Sequence, residues 1–343
     1  MKKDIRAYTK EALRDYFVSN GQQAFRGNQV YEWLWKKGVH DFDAMTNLSK
    51  DTRTFLDENF TINHIKVDVM QRSTDGTVKN ALRLFDGLVV ESVLIPTKSR
   101  TTACVSSQVG CAMGCTFCAT ALLKKQRNLN PDEIYDQVVS INKESEMFHG
   151  HKLSNIVFMG MGEPLLNYDN VMKAIDMITS DEGLGMSPKR ITLSTVGIHK
   201  KIIQMADEGK RFNLAVSLHS AIDEIRSAMM PVNKGSNLEK LMKSLQYWHE
   251  TTGNRITFEY IVWKDINDKQ KDIDALVSYC KNVPAKVNLI EYNPIDGDEF
   301  KQADPKIIDK YIETLERNHI VVNVRRSRGK DIDAACGQLA NKS

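Results

Sequence analysis

The spacing of apolar and polar positions changes twice along this chain. In residues 1–60 apolar side chains recur at helical intervals: a stripe through Val30, Trp33 and Leu34 stops near Gly38, and a further segment follows Ser49, a good helix cap. Three short helices are predicted there, forming a small accessory domain. Over residues 62–96 the period shortens to two. Residues 78–85 and 88–95 are rich in β-formers, with the turn pair Asp86-Gly87 between them, and predict a hairpin. Val89, Glu91, Val93 and Ile95 share one face of its second strand, which sets a carboxylate among apolar neighbours. Such a group is either edge-exposed or functional, because burial raises its pKa toward general acid or base use.

From residue 101 onward strands and helices alternate. Strand-like runs fall at 101–106, 155–159, 190–195, 213–218, 256–262, 286–292 and 320–324. One intervening helix starts with Asn130 as cap and Pro131 in the first turn and carries Ile134, Val138 and Ile141; another carries Val171, Ala174, Ile175 and Ile178. Repeated βα units imply a parallel sheet, so the class is α/β and the architecture a partial, TIM-like (β/α)6 barrel. The division expected is a helical domain at 1–60, a β extension at 61–96, the barrel at 97–330 and a C-terminal segment at 331–343. Internal repeats and low-complexity tracts are not evident.

Barrels of this kind place their sites at the C-terminal ends of strands. The loops expected there are Gly160-Met161-Gly162-Glu163-Pro164, Ser194-Thr195-Val196-Gly197, Ser217-Leu218-His219 and Tyr292-Asn293-Pro294. Together they offer close backbone approach, a carboxylate, hydroxyls, an imidazole and an amide, the groups that a nucleoside joined to an amino acid would need. The loop after the first barrel strand holds Cys111-Ala112-Met113-Gly114-Cys115-Thr116-Phe117-Cys118. Three thiolates can hold three irons of a cubane cluster and leave the fourth open to a small molecule. Electron transfer alone needs no such vacancy. The segment therefore reads as a [4Fe-4S] site that cleaves S-adenosylmethionine (SAM) reductively, and its spacing resembles the radical-SAM signature. A structural zinc knuckle is the alternative, but the next downstream candidate ligand, His149, is distant and unpatterned.

Composition narrows the setting. The 343 residues are 41% hydrophobic, enough for a sizeable core. The N-terminus is charged rather than apolar and no run approaches a membrane span, so a cytoplasmic enzyme is expected, with no membrane partner. Six cysteines, half of them within eight residues, suit metal ligation in a reducing compartment better than a disulfide framework. Net charge is only +3, but residues 97–130 lack Asp and Glu while carrying Lys98, Arg100, Lys124, Lys125 and Arg127, and a second basic knot runs Arg325-Arg326-Ser327-Arg328-Gly329-Lys330. Two basic segments bracketing one site would attract a polyanion, although a solvated charged face would look the same.

The remaining cysteines differ in setting. Cys280 continues the helical stripe Ile273, Leu276, Val277 and reads as a core residue; Cys104 precedes the cluster loop on the same strand, and Cys336 lies beyond the last strand in a segment able to fold back over the barrel mouth. Cys104 to Cys111, the Gly160 to Pro164 motif and Asp331-Ile332-Asp333-Ala334-Ala335-Cys336-Gly337-Gln338-Leu339 together resemble the dual-specificity RNA methyltransferases that modify adenine C2 in 23S rRNA and tRNA, over nearly the whole chain. What this resemblance implies is a [4Fe-4S] cluster on Cys111, Cys115 and Cys118, and SAM as both methyl donor and radical source. One SAM methylates Cys336; a second yields a 5′-deoxyadenosyl radical that takes hydrogen from the S-methyl group. The methylene radical then adds to C2. Cys104 attacks the Cys336 sulfur to free the product, leaving a disulfide that an outside reductant reopens. Glu91 matches the proton acceptor, and Gly162, Glu163, Ser194, Ser217, Leu218, His219 and Asn293 match SAM-contacting positions. The resemblance further implies a monomer served by a flavodoxin-type electron donor. Two rivals remain: the related adenine-C8 methyltransferase that confers antibiotic resistance, disfavoured because Val109-Gly110 stands where those proteins commonly carry an extra cysteine, and a non-catalytic cluster protein, which leaves Cys104 and Cys336 unexplained.

Overall fold

In the computed structural model, which describes residues 2–297 and 299–341, the alternating apolar runs pair into one ten-stranded sheet. In chain order its strands are β1 (Lys66–Arg72), β2 (Val78–Arg83), β3 (Val89–Pro96), β4 (Thr101–Cys104), β5 (Asn155–Phe158), β6 (Ile191–Thr195), β7 (Asn213–Ser217), β8 (Ile256–Ile261), β9 (Ala285–Ile290) and β10 (Val321–Arg325). Each lies beside its sequence neighbours, antiparallel from β1 to β4 and parallel from β4 to β10. The expected six βα units are thus present, closed by a seventh parallel strand. β1 and β10 do not pair with each other, so the barrel stays open along one side.

The observed barrel strands start and stop close to the predicted runs. β1 is an addition: Val67, Val69 and Met70 are substantially exposed, so the strand carries no continuous core-facing stripe to betray it. The turn joining β2 to β3 is the predicted Asp86-Gly87, where Gly87 takes a φ of 84° and the Asp86 carboxylate accepts from Leu88 N at 3.2 Å. The helix Pro131–His149 begins as its sequence requires, with Glu133 accepting from Asn130 N at 2.8 Å, and stops at Gly150 in the left-handed conformation. It buries Ile134, Val138 and Ile141 in the main core, as Tyr168–Thr179 buries Val171, Ala174, Ile175 and Ile178.

The N-terminal residues form the three expected helices, Lys10–Ser19, Phe25–Trp35 and Lys50–Asn59, the last capped by Ser49 Oγ on Thr52 N at 3.2 Å. Val30 and Leu34 are buried as predicted, but Trp33 is only half-buried: its indole N–H donates to Asn47 and its ring carries the Lys37 ammonium at 3.6 Å. Trp35 occupies the buried face instead and packs edge-on against Tyr135 of the barrel, ring centroids 5.2 Å apart. A buried ion cluster completes the attachment. Arg6 reaches Asp136 at 2.7 Å and Asp132 at 3.1 Å. Among the described residues no helix is long and apolar enough to cross a membrane.

Replacing Arg6 with Met should strand two buried carboxylates and cost about 3–5 kcal/mol, read as a lower urea midpoint. Arg6→Lys should recover part of the loss, and unchanged midpoints would mean that the cluster contributes nothing.

Candidate active site at the mouth of the open barrel

The cysteine loop leaves the sheet after β4 and is cinched at its base by a short antiparallel pair, Gln108–Val109 with Arg127–Asn128. Gly110 sits there at φ 73°, and a Cβ on it would meet the Lys124 carbonyl oxygen at 2.5 Å. Three hydrogen bonds fix the far side: Thr116 N donates to Met229 O at 3.1 Å, Ala119 N to Gly337 O at 2.8 Å and Thr120 Oγ1 to Leu339 O at 2.6 Å. Phe117 is wedged between His219 and Trp263, centroids 4.8 and 5.0 Å away. Cys111, Cys115 and Cys118 all line one cavity inside the mouth. Burial, reinforced by mutual repulsion between neighbouring thiols, pushes Cys115 upward and Cys111 up to about 11. An apolar wall that penalises thiolates this strongly suits a cationic group seated among them, since coordination removes the thiol protons. Among the described residues no three Cys, His, Asp or Glu side chains converge closely enough for a single metal ion, whereas cluster sulfurs stand apart on separate corners of a cube. The donor set therefore fits a [4Fe-4S] cluster with one open corner.

The strand-end loops close around the same space. Gly162, at φ 96°, lies against Gln108, where an added Cβ would come within 2.5 Å. Glu163 is 2% exposed and accepts from Thr195 Oγ1 at 2.8 Å, Leu165 N at 2.9 Å and Val196 N at 2.9 Å, which ties its loop to the end of β6. Burial outweighs those bonds and raises its carboxyl to about 6. His219 has a positive φ of 57°, held by Asn267, which donates to its carbonyl at 2.7 Å. Its Nδ1 accepts from Ile261 N at 3.2 Å, and burial lowers its pKa to about 3. The ring is therefore neutral with its proton on Nε2, leaving that nitrogen as a donor.

Of the predicted positions, Gly162, Glu163, Ser194, Ser217, His219 and Asn293 line the cavity. Leu218 does not; its side chain is fully buried in the core. Glu91 is also fully buried and does not line the cavity, because the C-terminal segment covers it: Glu91 Oε2 accepts from Ala340 N at 2.8 Å and Asn341 N at 3.1 Å, and Oε1 lies 3.3 Å from Lys79 Nζ. Cys280 packs in the core, as its helical stripe indicates.

Cys104 and Cys336 both reach the cavity. Cys336 opens onto it from the C-terminal segment, its carbonyl receiving Asn293 Nδ2 at 3.3 Å. The disulfide implied by resemblance is absent: both cysteines are free thiols. Cys104 is buried, which raises its thiol to about 12, whereas Cys336 is exposed at the mouth. Sequence reasoning missed Glu259 and took Arg325 only as part of a basic knot; both line the cavity and pair at 3.2 Å. The available signal was Glu259 within the otherwise apolar strand β8. The basic segments separate in space. Lys98 and Arg100 lie in the turn before β4, at the opposite end of that strand from Cys104, and Arg127 is committed to Asp86 and Glu133 at 2.6 and 2.7 Å. Lys330 pairs with Glu291 at 2.6 Å. Lys124, Lys125 and Arg326 are left exposed.

An open parallel barrel with a three-cysteine loop at its C-terminal mouth defines a radical-SAM enzyme, and residues 105–277 match the Radical SAM superfamily. That superfamily works with a [4Fe-4S] cluster and SAM. Residues 3–62 match the ribosomal RNA large subunit methyltransferase N-terminal domain. The chain is 67% identical over 341 residues to the probable dual-specificity RNA methyltransferase RlmN of Flavobacterium johnsoniae, covering 99% of this chain and 98% of that protein. It is 52% identical to the protein of the same description from Cytophaga hutchinsonii, covering 99% of this chain and 93% of the relative. A solved radical SAM methyltransferase from Sphaerobacter thermophilus superposes with a TM-score of 0.92 at 35% identity, covering 98% of this chain and 99% of that one. The chain belongs to the RlmN family of dual-specificity RNA methyltransferases.

Because the Glu163 carboxyl titrates near 6 and faces the cavity, its protonation should weaken a cationic ligand there. SAM affinity of the cluster-loaded protein should fall as pH drops through 6, and Glu163→Gln should bind weakly without that pH dependence. A wild-type affinity flat across this range would remove Glu163 from the contact.

Proposed function

We propose that this chain methylates C2 of an adenine in the peptidyl-transferase centre of 23S rRNA and of the adenine 3′ to the anticodon in tRNA. RNA is its substrate class by family membership. The observation that carries the reading is that two cysteines from opposite ends of the barrel sequence, Cys104 and Cys336, meet the three cluster cysteines around one cavity. Adenine C2 is an electron-poor amidine carbon that does not attack a sulfonium by a polar route, so a radical route is needed, and the family resemblance gives Cys336 as the sulfur that carries the carbon and Cys104 as the thiol that releases it. Cys111, Cys115 and Cys118 would hold the cluster, which together with SAM would supply the hydrogen-abstracting radical.

The bond-making and proton-transfer roles fall to side chains. Cys336 loses its proton, takes a methyl group on sulfur and then carries that carbon to C2. Cys104 gives up its proton and attacks the Cys336 sulfur; a sulfur–sulfur bond forms, the carbon–sulfur bond breaks with its electron pair left on the methylene carbon, which takes up one proton in exchange for the one Cys104 lost to become the methyl group, and an external reductant restores both thiols. The adduct gives up its C2 proton and one electron: Glu91 receives the proton once the segment carrying Ala340 and Asn341 has moved off its carboxylate, and the oxidised cluster that the three cysteines would hold is the group able to take the electron back. Gly162, Glu163, Ser194, Ser217, Leu218, His219 and Asn293 hold SAM, Leu218 through its backbone. In this reading residues 1–60, 61–96, 97–330 and 331–343 are accessory domain, β extension, catalytic barrel and methyl-carrying segment of a cytoplasmic monomer that takes electrons from a flavodoxin-type donor. Lys124, Lys125 and Arg326 meet phosphates at the mouth.

Anaerobic incubation of reduced enzyme with SAM and rRNA or tRNA fragments, followed by nucleoside digestion, should yield 2-methyladenosine. Recovery of 8-methyladenosine would assign the chain to the C8 chemistry, and absence of any methyladenosine would remove both. Cys104→Ala should accumulate a covalent protein–RNA adduct visible as a mass-shifted band; free product at the normal rate would exclude Cys104 from release.

A further inference from the structure

Arg226 is 1% exposed and belongs to the helix Asp223–Met229 behind the cavity wall. Its guanidinium donates to Val196 O at 2.6 Å, Ser217 O at 3.2 Å, Leu218 O at 3.1 Å and Asn233 Oδ1 at 2.6 Å. All four acceptors are neutral oxygens. Burying a guanidinium without a carboxylate is costly, and the penalty is repaid only where geometry and hydrogen bonding are good. Three of these carbonyls sit at or just past the C-terminal ends of β6 and β7, the ends that present Ser194, Ser217 and His219 to the cavity. The close of the same helix accepts the cluster loop, through Met229 O and Thr116 N at 3.1 Å. Gly197, the next residue after Val196, lies over the group at φ 97°, where a Cβ would stand 3.6 Å from Arg226 Nη2. Asn233 is itself fixed by Asp223 Oδ1 at 2.7 Å and Ser227 Oγ at 2.8 Å.

We propose that Arg226 is a positioning residue that sets the spacing between the cysteine loop and the SAM-binding ends of β6 and β7. It touches neither reacting atoms nor cofactor; its effect passes through the carbonyls it draws together. A single planar fork spans two strand ends that, among the described residues, no other side chain in the site bridges in this way, and its helix fixes the third element. The inference rests on the reading that SAM lies against these strand ends.

The test uses anaerobically reconstituted full-length enzyme, with SAM binding read from the perturbation of the reduced cluster's EPR signal. Arg226→Met should keep its iron content yet bind SAM at least about tenfold more weakly, with kcat/KM for SAM down about 10²-fold, the scale of a 1 Å misplacement. Arg226→Lys should recover part of the affinity by reaching one or two of the carbonyls. Asn233→Ala, which frees one edge of the fork, should weaken SAM about threefold with little change in iron content, and it decides the matter should Arg226→Met fail to fold. SAM affinity within twofold of wild type in both Arg226→Met and Asn233→Ala, or in Asn233→Ala alone where Arg226→Met is insoluble, would overturn the proposal and leave Arg226 a stability element. Failure of the wild-type protein itself to respond to SAM would instead remove the reading beneath it.

Discussion

The site depends on a strap of chain drawn across an open sheet. Because β10 finds no partner in β1, the barrel mouth would gape, and the C-terminal segment spans it with hydrogen bonds to three separate elements. Asp331 accepts from Ser73 Oγ at 2.6 Å and Thr74 N at 3.2 Å in the turn after β1. Gly337 and Leu339 offer carbonyls to the cysteine loop, and Glu91 of β3 accepts two backbone N–H groups. These bonds bring Cys336 to the cavity that Cys104 reaches from β4. Apolar packing adds to these bonds, since Ala334 and Leu339 are buried in the main core and Ile332 packs against it, so the strap is held by hydrogen bonds and by core contacts together.

Behind the mouth, three buried polar groups are immobilised by hydrogen bonds. Glu163 takes three donors from two loops, His219 is pinned at both its ring and its carbonyl, and Arg226 gathers carbonyls from two strand ends. Such groups are costly out of water unless satisfied, and once satisfied they are rigid. The result is a preorganised wall, with an aromatic cluster of Phe117, His219 and Trp263 behind the cysteine loop. Chemistry that generates a reactive radical needs this combination of fixed geometry and exclusion of water.

Charge serves two ends. Arg127 and Lys330 are spent on ion pairs that hold loops in place, and Lys98 and Arg100 sit at the far end of β4. Lys124, Lys125 and Arg326 remain exposed. A modest net charge of +3 therefore coexists with a locally basic rim, the arrangement that guides a polyanion to one face rather than coating the whole surface.

Features encoded by short-range spacing were fully legible in the chain. The C-x3-C-x2-C triplet, the Asp86-Gly87 turn, the Asn130-Pro131 helix start and the alternation of strands and helices each depend on residues a few positions apart, whose geometry the covalent backbone fixes. Strand β1 escaped because exposure on both faces erased its pattern, and Trp33 displaced Trp35 in the expected stripe because neighbouring apolar positions compete for one buried face. Long-range proximity was a different matter. That Cys104 faces Cys336, that Glu91 lies under the tail, that Arg325 turns inward to Glu259 and that Arg226 joins two strand ends follow from sheet order and from which charges found partners. Those outcomes are settled by the whole molecule at once, because hydrogen bonding and desolvation depend on every neighbour in space and not on those in sequence.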